Sequence, residues 1–156
     1  MSEIVTYNIA KGLQDKNINI PCFCAYNKQQ IINPDIIEKH GELSDDGYYE
    51  LTKECGGDYE FDEVYIYKMQ LVRKQDIIIR KNYTPAPMIS QVLRHFRDDF
   101  DIHISIDIEN GWFFTVKNIS NEKYLKYYNK EEKYSSYEDC AMSAIEYVLD
   151  NHINLE

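Results

Sequence analysis

Cys22, Cys24, His40 and Cys55 are the residues whose types could build a metal centre, because three thiolates and an imidazole can complete the tetrahedron that zinc prefers. Their spacing argues otherwise. Paired zinc ligands usually have roughly two to four residues between them, and only one separates Cys22 from Cys24. In a strand both would fall on one face, as small core residues do. No metal or other cofactor is expected. His95, His103, His40 and His152 form no recognisable catalytic set, and no Ser or Cys stands in a nucleophile-elbow context. Gly56-Gly57 is isolated, with no phosphate-cradling pattern around it. No catalytic residue is assigned.

Charge is more informative. Residues 42–63 carry nine acids (Glu42, Asp45, Asp46, Glu50, Glu54, Asp58, Glu60, Asp62, Glu63) against Lys53, which accounts for most of the net charge of −10. A charge run of this kind is ordinarily a hydrated loop. The sharper reading is an acidic, Tyr-rich surface for a protein partner with a basic surface, with Asp58, Glu60, Asp62, Glu63, Tyr48, Tyr49 and Tyr59 as binding residues. Asp45-Asp46-Gly47 suggests a calcium loop, but "DDGYYELTKE" lacks oxygen ligands at alternate positions and the distal glutamate.

Two alternatives belong to other classes. One is a small-ligand binder or enzyme with Tyr and His lining a pocket between the N-terminal segment and a sheet. The other is single-stranded nucleic-acid binding, in which Lys117, Lys123, Lys126, Lys130 and Lys133 meet phosphates while Tyr124, Tyr127, Tyr128 and Tyr134 stack on bases. Glu122, Glu131 and Glu132 dilute that patch, and an acidic chain does not draw in nucleic acid at long range.

The elements that must position these residues follow from periodicity. Thr84 as cap and Pro85 at the first helical position predict a helix, with Ile89, Val92, Leu93, Phe96 and Phe100 inward and Arg94 and Arg97 outward. In "DIHISIDIE", Ile102, Ile104, Ile106 and Ile108 alternate with His103, Ser105 and Asp107, a strand with one apolar face. A two-residue Asn110-Gly111 turn would leave Trp112, Phe114 and Val116 on the polar face. A three-residue Glu109-Asn110-Gly111 loop, with Gly111 left-handed, instead pairs Ile108 with Trp112, Ile106 with Phe114 and Ile104 with Val116. The second register is expected. A third strand follows near 123–128. Ser135-x-x-Glu138 then opens a closing helix with Tyr137, Ala141, Ala144, Ile145, Val148 and Leu149 inward.

Upstream, residues 6–16 read as a short helix with Ile9, Ala10 and Leu13 inward, followed by a strand "CFCAY" that starts after Pro21. Residues 64–80 carry two β-rich runs around a polar bend at 74–76, and the acidic segment before them reads as a long loop with a short strand. The expectation is a single α+β domain, 1–156: a variable N-terminal half, 1–82, with its acidic loop 42–63, and a helix, three-stranded antiparallel sheet and helix over 83–156. Both helices must cover one sheet face. Edge strands near Lys123 or Cys22 offer a route to a dimer.

"IAKGLQDKNINIPCFCAY", "APMISQVLRHFRDDFDIHISI" and "SSYEDCAMSAIEYVLDNHI" together resemble a group of proteins from phages and prophages of gut Bacteroidales. Members of that group carry a similar Ala-Pro-x-x-Ser-Gln helix ending in Trp-Leu-Arg-Glu, and a closing Tyr-Glu-Glu-Ala helix. Here His95-Phe96-Arg97-Asp98 and Tyr137-Glu138-Asp139-Cys140 stand in those places. The likeness covers roughly the first 26 and the last 73 residues. It implies a shared fold and a mobile-element origin, and carries over no reaction. The N-terminus lacks a signal-peptide pattern and no apolar run approaches the ~20 residues that span a bilayer, so the expected setting is the host cytoplasm, with reduced cysteines and no membrane partner.

Overall fold

The computed structural model of the chain describes residues 3–20, 22, 24–27, 30–32, 42–43, 48–51, 64–67, 77–78 and 83–153. The fold is α+β, and the chain forms two compact units: Met1–Lys16 with Met88–Glu156, and Asn17–Pro87. The helix at the start of the chain thus belongs with the C-terminal half. Among the described residues no helix is long and apolar enough to cross a membrane.

In the first unit α1, Tyr7–Asp15, is closed by Thr6, whose hydroxyl oxygen accepts from the Ile9 N–H at 3.5 Å. Its buried face is Ile9, Ala10 and Leu13, as their spacing implies. Lys16 Nζ donates to the Ile153 carbonyl at 2.6 Å and ties the end of this helix to the turn after the last one.

The next helix starts later than the Thr84-Pro85 signal implies. A proline pushes the residue before it toward extended backbone, and Pro85 and Pro87 stand two apart. Tyr83–Pro85 is accordingly a strand, and Thr84, expected as a helix cap, is a buried strand residue. α2 spans Ile89–Phe100, and the Gln91 side-chain oxygen accepts from the Met88 N–H at 2.8 Å. Ile89, Val92 and Phe96 are buried, Leu93 is half-buried and Phe100 is exposed, so the apolar stripe is narrower than expected. Arg94 and Arg97 are exposed, and both hold Asp98, at 3.3 and 2.9 Å.

β8 (Ile102–Ile108), β9 (Trp112–Asn118) and β10 (Tyr124–Lys126) form an antiparallel sheet in the order β10-β9-β8. The observed register pairs Ile108 with Trp112, Ile106 with Phe114 and Ile104 with Val116, as the three-residue loop requires. Asn110 (φ 53) and Gly111 (φ 117) make the reversal, and the Glu109 N–H donates to the Gly111 carbonyl at 3.0 Å. β10 is shorter than the expected 123–128 and its pairing with β9 is bulged between Tyr124 and Lys126. α3, Tyr137–Asn151, is capped one residue later than expected: Ser136, not Ser135, accepts from the Asp139 N–H, at 3.1 Å. Its core face is Cys140, Ala141, Ala144, Ile145, Val148 and Leu149, whereas Tyr137, expected inward, is 38% exposed. α2 and α3 both pack on the sheet, and α1 packs on α3.

The second unit contains two antiparallel sheets. In one, β1 (Ala25–Asn27) lies between β2 (Gln30–Ile32) and β7 (Tyr83–Pro85). The strand expected after Pro21 therefore starts at Ala25 and is central, which removes it as a dimer edge. Cys22 and Cys24 precede it, both buried, with the Cys22 thiol donating to the Cys24 carbonyl at 3.3 Å. The other sheet has the order β3-β4-β5-β6, from Glu42–Leu43, Tyr48–Leu51, Val64–Tyr67 and Ile77–Ile78. Two of its strands lie in the acidic segment, where one was expected. The bend expected at 74–76 lies outside the described residues.

Truncation of Phe96, fully buried, to alanine should destabilise the first unit by about 3–5 kcal/mol through lost transfer energy and a residual cavity. Leu93→Ala should cost less than half of that, and Arg94→Ala and Arg97→Ala should stay within about 0.5 kcal/mol. Denaturant titration of the four variants checks the order. A second expectation concerns His152, the residue that ends α3. Its Nε2 is buried without a hydrogen-bond partner among the described residues, and burial lowers its pKa from 6.5. The unfolded chain then takes up a proton that the folded chain resists. Stability should be level above the unfolded value and fall as pH drops from about 7 to about 5. Thermal melts of His152→Gln over that window should show a shallower decline than the native chain.

Candidate functional site

The register of the four-stranded sheet sorts the residues of the acidic segment. Glu42 pairs with Glu50 and Glu50 with Tyr65, while Tyr48 pairs with Tyr67. On the alternate positions Leu43 pairs with Tyr49, Tyr49 with Ile66, and Leu51 with Val64. Because paired residues in a sheet share a register phase and neighbours along a strand do not, Glu42, Tyr48, Glu50, Tyr65, Tyr67 and Ile78 occupy one phase of the sheet. Leu43, Tyr49, Leu51, Val64, Ile66 and Ile77 occupy the other. Tyr48 and Tyr49, grouped by the sequence as one surface, are thus in opposite phases. Asp58, Tyr59, Glu60, Asp62 and Glu63 lie outside the described residues.

The Lys/Tyr run of the first unit is brought together, but largely onto itself. Lys133 Nζ stands 4.5 Å from the Tyr128 ring centre and 4.6 Å from that of Phe113, and donates to the Tyr128 hydroxyl at 2.8 Å. Lys126 lies 5.1 Å from the Tyr147 ring and 5.6 Å from that of Phe114, and its charge pairs with Glu132 at 3.0 Å. Lys117 stands 5.6 Å over Tyr124. Three of the five lysines offered to phosphates therefore face rings of this chain. Tyr124 and Tyr127 form an exposed ring pair with centres 5.0 Å apart.

The described histidines do not assemble. His95 Nδ1 meets Asp99 Oδ2 at 2.6 Å on the surface of α2, His103 is exposed on β8, and the His152 ring lies 5.2 Å from that of Tyr147, tilted by 58°. His40 and Cys55 lie outside the described residues. Cys140 is fully buried and its thiol is pushed up to about 11 by that burial, so it stays protonated and unreactive. An open cleft of about 240 Å³ lies where the first turns of α2 and α3 meet, lined by Glu3, Ile89, Ser90, Tyr137 and Glu138. Of the pocket residues expected from sequence it holds one tyrosine and no histidine. Two helix N-termini there favour anions while Glu3 and Glu138 oppose them. Comparison with protein-family models, curated proteins and solved structures gives no match for the chain.

If Lys133 acts as an internal brace, Lys133→Ala should lower stability by about 1–2 kcal/mol through loss of two ring contacts and of its hydrogen bonds to the Tyr128 hydroxyl and the Glu109 carbonyl, with Lys123→Ala neutral. Equilibrium unfolding of both variants checks this; equal, negligible effects would return Lys133 to the pool of lysines open to a ligand.

Proposed function

We propose that the protein is a small non-enzymatic accessory protein of phage or prophage type that binds a host or phage protein with a basic surface. Its binding surface is the acidic, tyrosine-rich face of the four-stranded sheet together with the acidic residues Asp58, Glu60, Asp62 and Glu63. The observation that supports this most is the register, in which Glu42, Glu50, Tyr48, Tyr65 and Tyr67 share one phase of the sheet with Ile78. Tyrosines supply contact area with few rotatable bonds and a hydroxyl that stays satisfied at a wet interface. Carboxylates steer a cationic partner and reject anionic ones, and their contribution weakens as salt rises. The first unit is consistent with the same reading, since Lys117, Lys126 and Lys133, three of the five lysines that could meet phosphates, lie over rings of their own unit.

Pull-down from host lysate with the native chain as bait, followed by mass spectrometry, is the test, run at low and moderate salt. A specific partner should be retained by the native chain and by Glu138→Gln. It should be lost from a variant with Asp58→Asn, Glu60→Gln, Asp62→Asn and Glu63→Gln, and weakened by Tyr48→Ala. Retention of every captured protein by the neutralised variant would sink the reading.

A further inference from the structure

We propose that β8 is a self-complementary dimerisation edge, whose occupant is β8 of a second copy of this chain, antiparallel about a two-fold axis through Ser105. The inference is independent of the partner proposed above. β8 is the last strand of its sheet, and among the described residues no strand pairs with its outer side. Sheet edges are ordinarily guarded by shortness, proline, lysine or a bulge. β10, the opposite edge, has three of those devices: it is three residues long, bulged, and contains Lys126. β8 has none of them. It is seven residues long, in unbroken register with β9, and free of proline and lysine.

The phase of the ladder defines what the free edge offers. Ile119 N–H donates to the Asp101 carbonyl at 2.9 Å and Glu109 N–H to that of Gly111 at 3.0 Å, while Asn118 N–H turns away to Lys123. Odd-numbered residues of β8 therefore bond to β9, and the backbone groups of Ile102, Ile104, Ile106 and Ile108 point to the open side. A two-fold centre at Ser105 matches these groups in phase. Ile102 exchanges hydrogen bonds with Ile108 of the second copy, and Ile104 with Ile106. The intervening, non-bonded positions bring Ser105 against Ser105 of the second copy and His103 against Asp107 of the second copy, twice per dimer.

The side chains agree with the backbone. "IHISIDI" reads as the same pattern in both directions, apolar, polar and apolar about its middle residue. Ile108, 65% exposed in the single chain, would continue an apolar row beside Ile102, which is 4% exposed. His103 and Asp107, both exposed, would meet as an imidazole–carboxylate pair. Centres at Ile104 or Ile106 are also in phase, but each shortens the pairing. The Ile104 centre also sets Asp107 against Asp101, a like-charge contact.

Sedimentation of the full chain from about 1 μM to about 1 mM should show a concentration-dependent dimer. Asp107→Lys should weaken it by about tenfold, and His103→Glu added to that variant should restore it, since the pair is only inverted. Under mild oxidant S105C should form a linked dimer, because opposed non-bonded positions lie about 4.5 Å apart at Cα, within disulfide reach, whereas D107C should not link to itself. A chain that stays monomeric, a dimer indifferent to the charge inversion, or a dimer in which S105C remains unlinked or D107C links equally well overturns the proposal.

Discussion

The reversal at Glu109-Asn110-Gly111 is the constraint on which the first unit depends. Both Asn110 and Gly111 have positive φ, and a side chain at Gly111 would be strained by its backbone and would stand 3.1 Å from Lys133 Cβ. The loop length it allows decides which residues of β8 and β9 share a face. Shortening it by one residue would move Trp112, Phe114 and Val116 off the isoleucine side and leave α2 and α3 with half a core. With the observed length, Ile102, Ile104, Phe114 and Val116 are buried together. The two helices close over them with Val92, Phe96, Ile145 and Val148, all fully buried. Lys133 fastens the same loop, donating to the Glu109 carbonyl while lying over the Phe113 and Tyr128 rings.

Around that core the polar surface of the first unit is arranged as internal bracing. Tyr134 and Trp112 exchange backbone hydrogen bonds at 2.8 and 3.0 Å, which brings the approach to α3 alongside β9. The Tyr147 hydroxyl donates to the Leu125 carbonyl at 3.1 Å, joining α3 to β10. Each of these contacts links segments distant in sequence, and each uses a residue that composition alone would count as interaction surface. The rings and cations of residues 112–134 thus stabilise a short third strand that could not hold its place on three residues of ladder. In the second unit the charges are segregated along the sequence: one base accompanies nine acids over 42–63, and Lys68, Arg73, Lys74, Arg80 and Lys81 follow.

What the sequence makes legible is governed by how local the deciding physics is. The hairpin register was readable because a two-residue period and a glycine leave one solution that keeps every large apolar residue on one side. The inward faces of α1 and α3 followed from helical spacing, apart from Tyr137 and Cys140, whose places depend on how the helix is rotated against its neighbours. Where two local signals compete, the nearest was misleading. Thr84-Pro85 has the residues of a helix start, but a second proline at 87 keeps the chain extended and delays it. The cap expected at Ser135 is displaced by one residue, because the adjacent Ser136 accepts from the Asp139 N–H. The opposite register phases of Tyr48 and Tyr49 follow from strand alternation, which a sequence dense in Gly, Asp and Glu does not signal. The roles of Lys126 and Lys133 are not legible in the sequence, since their rings come from β9, from Tyr128 and from α3.

One consequence of strand geometry joins the core to the edge. In β8 Ile102 and Ile104 supply the buried side chains, and all four isoleucines carry the backbone groups left free by β9, because side-chain direction and hydrogen-bond direction alternate with the same period. Ser105, His103 and Asp107 do the reverse, spending their backbone on β9 and their side chains on the open face. Changes at the polar positions can therefore alter what meets the sheet without touching the core, while changes at the isoleucines act on core and edge together. The polar side chains of such a strand are positions that the packing of the core leaves free to vary. That division allows an unguarded edge and a well-packed interior to coexist in seven residues.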